Sequence, residues 1–172
     1  KTSASKSYNN VGVQLYGPNI IFRNNTLWNN GSAVKHAAAS VSHGSNDLYF
    51  YNNVLYGNFR RGLYIVSDWN ITGDKFKNNT ISSSVDYNLY FTTARGRPIT
   101  PFFTNNNFYD APSFKYKTTT TLLSAESTYS SEIENSLEKD PKFVAPDTDD
   151  FRLSTDSSLA DDGVYLTTIS AV

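Results

Sequence analysis

The sequence predicts an all-β protein, folded as a parallel β-solenoid of about four coils with a C-terminal cap. The main observation is a short motif built on a pair of asparagines, which occurs four times at steps of 28, 26 and 27 residues. The four pairs begin at Asn24, Asn52, Asn78 and Asn105. Internal repetition with a period of roughly 20 to 50 residues indicates a chain that stacks one structural unit on the next.

Two columns of apolar residues accompany the asparagine pairs and set the phase of each coil. The column two residues before each pair contains Phe22, Phe50, Phe76 and Phe103. The column three residues after each first asparagine contains Leu27, Leu55, Ile81 and Phe108. The residue between the phenylalanine and the pair has a polar end in every copy, as Arg23, Tyr51, Lys77 and Thr104. This alternation places the two apolar columns in the interior and the polar column outside.

The second asparagine of each pair is predicted to lie at a corner between strands. Asparagine tolerates the left-handed backbone conformation that a sharp turn requires. Stacked amide side chains can also hydrogen-bond to one another from coil to coil, and Asn25, Asn53, Asn79 and Asn106 are spaced for such a ladder. The asparagine pairs are therefore interpreted as parts of the scaffold.

Each coil is expected to contain three short strands, which together form a parallel β-helix. The early strands are predicted at 12–16, 33–37, 62–66 and 88–92, and a third strand follows each asparagine pair. An antiparallel sandwich is the alternative, because short strands with turn signals also suit that class. A sandwich does not require the same column at every turn, so the solenoid is favoured.

The chain divides into three segments. Residues 1–10 are polar and aperiodic, and are interpreted as an N-terminal end or the remnant of a preceding coil. Residues 11–111 hold the coils, and residues 112–172 form an excursion and a C-terminal capping segment, with one or two helical turns predicted within 130–139. An upstream segment or another chain is expected to cover the first coil at Val13, Leu15 and Phe22, because open solenoid ends recruit other chains.

Composition excludes several classes of function. The net charge of −1 provides no basic face for nucleic acid. No cysteine is present, so disulfides and cysteine metal sites are excluded, and no apolar run is long enough to cross a membrane. The 12 tyrosines and 11 phenylalanines, with many small polar residues, are typical of an extracellular β-rich protein. The expected location is secreted or at the cell surface.

The closing segment carries a recognisable pattern. Asp140, Pro141 and Phe143 are followed by Asp150, Phe151 and Leu153, and then by Ser157, Asp161 and Gly163. This pattern resembles the C-terminal D-P-x-F, D-F/Y-x-L and S-P-A-I-D-x-G segments of secreted right-handed parallel β-helix proteins of the pectate-lyase-like superfamily. It departs at Ser158, where the superfamily usually has proline, and in the order of Leu159 and Ala160. The resemblance implies a right-handed helix, of which this chain would be the C-terminal part.

The resemblance also implies where substrate would bind. Enzymes of the superfamily commonly hold a polysaccharide along the outward face of one stacked sheet. That face is predicted here to carry the column Gln14, Lys35, Tyr64 and Tyr90. Tyrosine rings can stack on sugars, and lysine or arginine can neutralise uronic acid carboxylates.

Lyase chemistry next to a carboxylate requires a base and a cation. The residues predicted for catalysis are Lys35, Arg61, Tyr64 and Asp86. Those predicted to bind substrate are Gln14, Tyr90 and Arg95. Calcium, which lyases of the superfamily often use, has no strong motif in this sequence, so the cofactor stays open.

The leading hypothesis is a lyase or glycoside hydrolase that acts on an acidic polysaccharide. The alternative is a non-catalytic structural, adhesive or glycan-binding module, which the lack of paired carboxylates favours. Four N-x-S/T sequons are present, and Asn30 and Asn70 are the predicted glycosylation sites. Asn24 and Asn78 belong to the repeat turns and are expected to be too buried for modification.

Overall fold

The computed structural model describes residues 11–30, 37–42, 46–67, 71–93 and 99–163. The first coil contains β1 (Val13–Leu15), β2 (Ile21–Arg23) and β3 (Thr26–Trp28). The second contains β4 (Ala37–Ser42), β5 (Tyr49–Tyr51) and β6 (Val54–Tyr56). The third contains β7 (Arg61–Ser67), β8 (Ile71–Lys77) and β9 (Thr80–Ser82). The fourth contains β10 (Tyr87–Thr93), β11 (Ile99–Thr104) and β12 (Asn107–Tyr109), and β13 (Ser113–Tyr116) and β14 (Ile133–Glu134) follow.

The strands form three parallel sheets, which confirms the predicted β-solenoid. Sheet A has the order β1-β4-β7-β10-β13, sheet B the order β14-β11-β8-β5-β2, and sheet C the order β12-β9-β6-β3. Each strand therefore lies beside its counterpart in the next coil, and the apolar face of every coil is buried only by its neighbours.

The two predicted interior columns are present. Phe22, Phe50 and Phe76 occupy paired positions in sheet B, followed by Phe103 and Ile133. The ring centroids of successive phenylalanines are 5.2, 5.7 and 4.5 Å apart. In sheet C the paired positions hold Leu27, Leu55, Ile81 and Phe108. These stacks form the core of the molecule.

Each coil turns at corners where one residue adopts a left-handed conformation. At the predicted corner the left-handed residue is the first asparagine of each pair and not the second, with φ of 58°, 53°, 54° and 54° at Asn24, Asn52, Asn78 and Asn105. A second corner, between sheets C and A, has φ of 51°, 57°, 55° and 54° at Asn29, Gly57, Ser83 and Asp110. A third, between sheets A and B, has φ of 59°, 57° and 77° at Asn19, Asp47 and Gly73. Asparagine, aspartate and glycine tolerate this conformation best, which explains their recurrence here.

The asparagine ladder is also present. Asn79 Oδ1 accepts from the backbone N and from Nδ2 of Asn53, both at 3.0 Å. Asn79 Nδ2 donates to Phe50 O and to Asn106 Oδ1, both at 2.9 Å. Asn25 joins the same ladder through Asn53 Oδ1. Because Asn53, Asn79 and Asn106 are each 1% exposed, these bonds replace water as the partner of buried backbone groups.

The repeat continues past Asp110 as a partial fifth coil, where the sequence suggested either a surface excursion or an extra strand leading to a cap. Strand β13 extends sheet A and β14 extends sheet B. Asn135 has φ of 50°, in the position of the earlier left-handed asparagines. The helix predicted within 130–139 is wrong, since that stretch contains β14 and an isolated bridge between Leu137 and Asn107.

A short helix, α1 (Leu122–Thr128), closes the C-terminal end of the solenoid. Its buried residues are Leu122 and Ala125. Glu126 of this helix accepts a 2.7 Å hydrogen bond from the backbone N of Ser136, which stands where the next ladder asparagine would be. The Glu126 carboxylate thus replaces the asparagine amide that a further coil would supply, and the ladder ends there.

Residues 140–163, here called the strap, lie along the side of the solenoid rather than over its end. The strap contains a hairpin of β15 (Phe143–Ala145) and β16 (Asp150–Leu153), joined through the 3-10 turn Pro146–Thr148. Phe151 packs at ring-centroid distances of 5.7 Å from Trp28 and 5.3 Å from Tyr56, which occupy paired positions in sheet C. The D-P-x-F and D-F-x-L segments therefore supply the phenylalanines that cover sheet C.

Candidate functional site

One column of paired positions crosses the five strands of sheet A on the side away from the core, and it is interrupted in the second coil by a residue that is only 5% exposed, Ser40. Its successive members at paired positions are Gln14, Ser40, Tyr64, Tyr90 and Lys115. Gln14, Tyr64 and Tyr90 lie in one column of paired positions, and Ser40 occupies the position between Gln14 and Tyr64. Lys35 lies outside the described residues, as do Arg95 and Asn70.

An arginine lies over two neighbouring tyrosines of this face. The guanidinium carbon of Arg61 is 4.4 Å from the ring centroid of Tyr64 and 4.4 Å from that of Tyr90. The two rings are 5.6 Å apart at an angle of 50°. Tyr87 meets Tyr90 edge to face at 5.0 Å, and Lys115 Nζ is 5.5 Å from the Tyr90 ring. We call these five residues the Arg61 cage.

The register of β7 and β10 and a glycine at position 62 position the residues of the Arg61 cage. Tyr87 pairs with Arg61, and Tyr90 pairs with Tyr64, so these side chains lie next to one another across two neighbouring strands. Gly62 lies directly beneath Arg61, and a Cβ there would collide with Ile81 Cγ2 and lie 2.9 Å from Asn88 O. The buried Asn88 fixes the start of β10 by donating to Tyr109 O at 2.7 Å. Glycine at 62 therefore lets the two strands approach closely enough for Arg61 to reach both rings.

One hydrogen-bond donor of the Arg61 guanidinium is not bonded. Its Nε is buried and has no hydrogen-bond partner among the described residues. A buried donor without an acceptor costs about 1–3 kcal/mol. Cation–π contact with two rings offsets part of this, at about 0.5–2 kcal/mol for each ring.

Asp86, which was predicted to be catalytic, lies beside the cage in an ion pair. Its Oδ2 accepts from Arg60 Nε at 2.6 Å, and both side chains are 32% exposed. Arg60 and Arg61 are consecutive, so one arginine is neutralised by Asp86 while the other lies over the tyrosine rings. Asp86 therefore orders the turn before β10 instead of presenting a free base to the face.

Three residues of the face escaped prediction, namely Ser40, Tyr87 and Lys115. Tyr87 could have been found, because it stands 26 residues after Arg61, at the spacing that separates Tyr64 from Tyr90. Lys115 lies in the fifth coil, where the asparagine pair that marked the repeat is missing.

The accessibility of the sequon asparagines Asn24 and Asn30 differs from the expectation. Asn30 Nδ2, the atom that would carry a glycan, donates to Trp28 O at 3.0 Å and to Asn58 Oδ1 at 3.3 Å. Asn30 belongs to a second amide ladder that the sequence reading missed. Asn24, expected to be buried, is exposed. The corrected order favours Asn24 over Asn30.

A small pocket lies next to the cage, where the fourth and fifth coils meet. It has a volume of about 220 Å³, and its lining includes Asn88, Ser113, Phe114 and Glu138. Ser113 pairs with Tyr87, so the pocket opens close to the edge of the Arg61 cage. Within the described ranges, no three histidine, aspartate or glutamate side chains converge on a point that could hold a metal ion. None of the described helices is long and apolar enough to cross a membrane.

The fold and this face define a parallel β-solenoid with an arginine–tyrosine cage on one sheet. Comparison of the chain with protein-family models, with curated proteins and with solved structures found no match. The β-solenoid architecture is defined by the order of strands in its three parallel sheets, and membership of the pectate-lyase-like superfamily stays a proposal.

Proposed function

We propose that the outward face of sheet A binds an acidic glycan and that Arg61 is the residue that recognises its negative charge. The observation that supports this proposal is a guanidinium held over two tyrosine rings, 4.4 Å from each ring centroid. Guanidinium groups bind carboxylates and sulfates through paired, charge-assisted hydrogen bonds. Tyrosine rings supply apolar area for the faces of sugar rings and a hydroxyl for their polar edges.

The rest of the face supports a chain-like ligand. The uninterrupted accessible part of the column runs from Tyr64 to Lys115 and crosses three strands, and adjacent parallel strands are about 4.8 Å apart, so it extends over roughly 10 Å. Lys115 at the far end provides a second cation one coil beyond Tyr90. The overall net charge of −1 argues against a nucleic acid, whose binding depends on neutralising many phosphates.

Calorimetric titration with oligogalacturonate, oligoalginate and heparin tetrasaccharides tests this proposal, with a neutral cello-oligosaccharide as reference. We expect at least one acidic oligosaccharide to bind and Arg61→Gln to weaken that binding by roughly 10- to 100-fold, since a charged hydrogen bond contributes about 1.5–3 kcal/mol. The matched control is Arg152→Gln, which removes the same charge from an exposed arginine of the strap that pairs with Asp150. Equal affinities of wild type and Arg61→Gln would contradict the proposal.

A lyase reaction on the same glycan is the finer form of this proposal. In such a reaction a base removes the proton beside the uronate carboxylate, the bond to the neighbouring glycosidic oxygen breaks, and that oxygen takes up a proton. Arg61 would neutralise the carboxylate, and the hydroxyls of Tyr64 and Tyr90, whose rings it contacts, are the candidate proton-transfer groups. Tyr64→Phe and Tyr90→Phe keep the rings, so a catalytic hydroxyl predicts lost turnover with retained binding.

The alternative is a non-catalytic module that holds acidic glycan at a secreted or cell-surface location. What favours it is that Asp86 is engaged by Arg60 and that no metal-binding cluster is found in the described residues. Incubation of each bound glycan with the protein separates the two forms. New unsaturated chain ends assign a lyase, and an intact polymer that still binds assigns the module.

A further inference from the structure

The outward face of sheet B alternates cations with aromatic rings. Its first column holds Ile21, Tyr49, Lys75 and Phe102 at paired positions, and its second holds Arg23, Tyr51, Lys77 and Thr104. We call Arg23, Tyr49, Tyr51, Lys75, Lys77 and Phe102 the sheet B basic face. These residues alternate with core residues such as Phe50 and Phe76, so they lie on the other side of the sheet, where Tyr51 is itself only 5% exposed.

Two of the three cations of this face, Lys75 and Lys77, contact aromatic rings. Lys75 Nζ is 5.2 Å from the ring centroid of Tyr49, and Lys77 Nζ is 5.7 Å from that of Phe102. The ion pairs found in the described part of the chain involve other lysines and arginines. Glu134 follows Thr104 in the column and marks its acidic end. The positive charge of coils one to three is therefore available to an external anion.

The spacing of the cations suits an extended anionic chain. Lys75 and Lys77 lie two residues apart on one strand, at about 6.6 Å. Arg23 and Lys77 occupy the same column two strands apart, at about 9.6 Å. The rings of Tyr49 and Phe102 flank Lys75 at paired positions in the neighbouring strands. Burial of the neighbouring Tyr51 raises its pKa to about 12, so that phenol stays neutral and adds no negative charge to the face.

We infer that the sheet B basic face is a second binding surface for acidic glycan, so that one solenoid joins two glycan segments. This inference rests on the proposed function of sheet A. Sheets A and B are separate faces of the solenoid, and their cations belong to different columns. A glycan segment on one face therefore leaves the other face open, and the protein cross-links an acidic polysaccharide.

Calorimetric stoichiometry with oligogalacturonate and heparin tetrasaccharides tests the inference on the full chain. We expect two tetrasaccharides per wild-type chain and one for Lys75→Gln/Lys77→Gln, whereas Arg61→Gln binds one with wild-type affinity and the other roughly 10- to 100-fold more weakly. The matched control is Lys139→Gln/Lys142→Gln, which removes the same two charges from lysines paired with Asp162 and Asp156. This control is expected to bind two. Circular dichroism of each variant verifies that the solenoid is intact.

Cross-linking provides a second readout. The wild type is expected to make a solution of polygalacturonate or heparin turbid, whereas Lys75→Gln/Lys77→Gln binds the polymer without turbidity. A stoichiometry of one in the wild type overturns the inference. If Arg61→Gln then weakens the binding of that one tetrasaccharide, the sheet A proposal still stands; if it does not, the sheet A proposal fails as well. Two tetrasaccharides bound by Lys75→Gln/Lys77→Gln also overturn the inference.

Discussion

Replacement of Asn79 by alanine should destabilise the solenoid strongly, because it removes a rung from the middle of the ladder. The side chain accepts two hydrogen bonds from Asn53 and donates to Phe50 O and Asn106 Oδ1. After the change, the backbone N of Asn53 and the carbonyl of Phe50 lose these partners in the interior. Each buried group left without a partner costs about 1–3 kcal/mol, so the expected loss is about 2–6 kcal/mol.

Asn25→Ala is the matched control, because it makes the same substitution at the half-exposed first rung. Asn25 donates to Asn53 Oδ1 and to Arg23 O, and Asn53 Oδ1 keeps the backbone N of Asn25 as a donor. The expected loss is about 1 kcal/mol or less, as for a partly exposed hydrogen bond. Urea unfolding followed by circular dichroism measures both variants. Equal midpoints for Asn79→Ala and Asn25→Ala would refute the role given to the buried ladder.

Three further outcomes follow from the packing and the charges. Phe151→Ala should lower the free energy of unfolding by about 1–3 kcal/mol and loosen the strap, because it removes half-buried ring contacts with Trp28 and Tyr56. Limited proteolysis should then cleave the strap faster than in the wild type. Unchanged cleavage would contradict this. Gly62→Ala should cost about 1–3 kcal/mol in urea unfolding, whereas Gly163→Ala, whose Cβ would meet only ordinary contacts, should be neutral. The hydrogen bond from Lys142 lowers the pKa of Asp156 to about 2, so its stabilising effect is present above the ordinary value of 3.8 and is lost as pH falls through about 2. Carboxyl NMR should show this midpoint and an upward shift in Lys142→Ala; a midpoint near 3.8 in the wild type would exclude the pair.

The coils were predictable because their marks are local and repeated. A phenylalanine, a polar residue and two asparagines recur with nearly constant spacing, and each has one structural reason to be there. The sheet A column was harder, since its members stand 26, 24, 26 and 25 residues apart, out of step with the asparagine pairs. Corners of variable length change the distance between columns while the sheets stay in register. In the second coil three consecutive alanines, Ala37 to Ala39, gave no alternation that could place Ser40.

The fifth coil escaped prediction because its marks are substituted. Ile133 replaces the phenylalanine, Ser136 replaces the ladder asparagine, and α1 is inserted before them. The strap motif was visible in the sequence, but its place on sheet C depends on Trp28 and Tyr56 being neighbours across coils. The Arg61 cage likewise depends on a contact between residues 29 positions apart, Arg61 and Tyr90, which no local pattern shows.

On the outward face of sheet A, we propose that Arg61 recognises the negative charge of a glycan. A crystal structure of the protein soaked with the acidic tetrasaccharide that it binds tests this most directly. We predict a carboxylate or sulfate oxygen within hydrogen-bond distance of the Arg61 guanidinium, about 2.7–2.9 Å, with a sugar ring against Tyr64 or Tyr90. A tetrasaccharide bound elsewhere, with the Arg61 cage occupied by solvent, would contradict the claim.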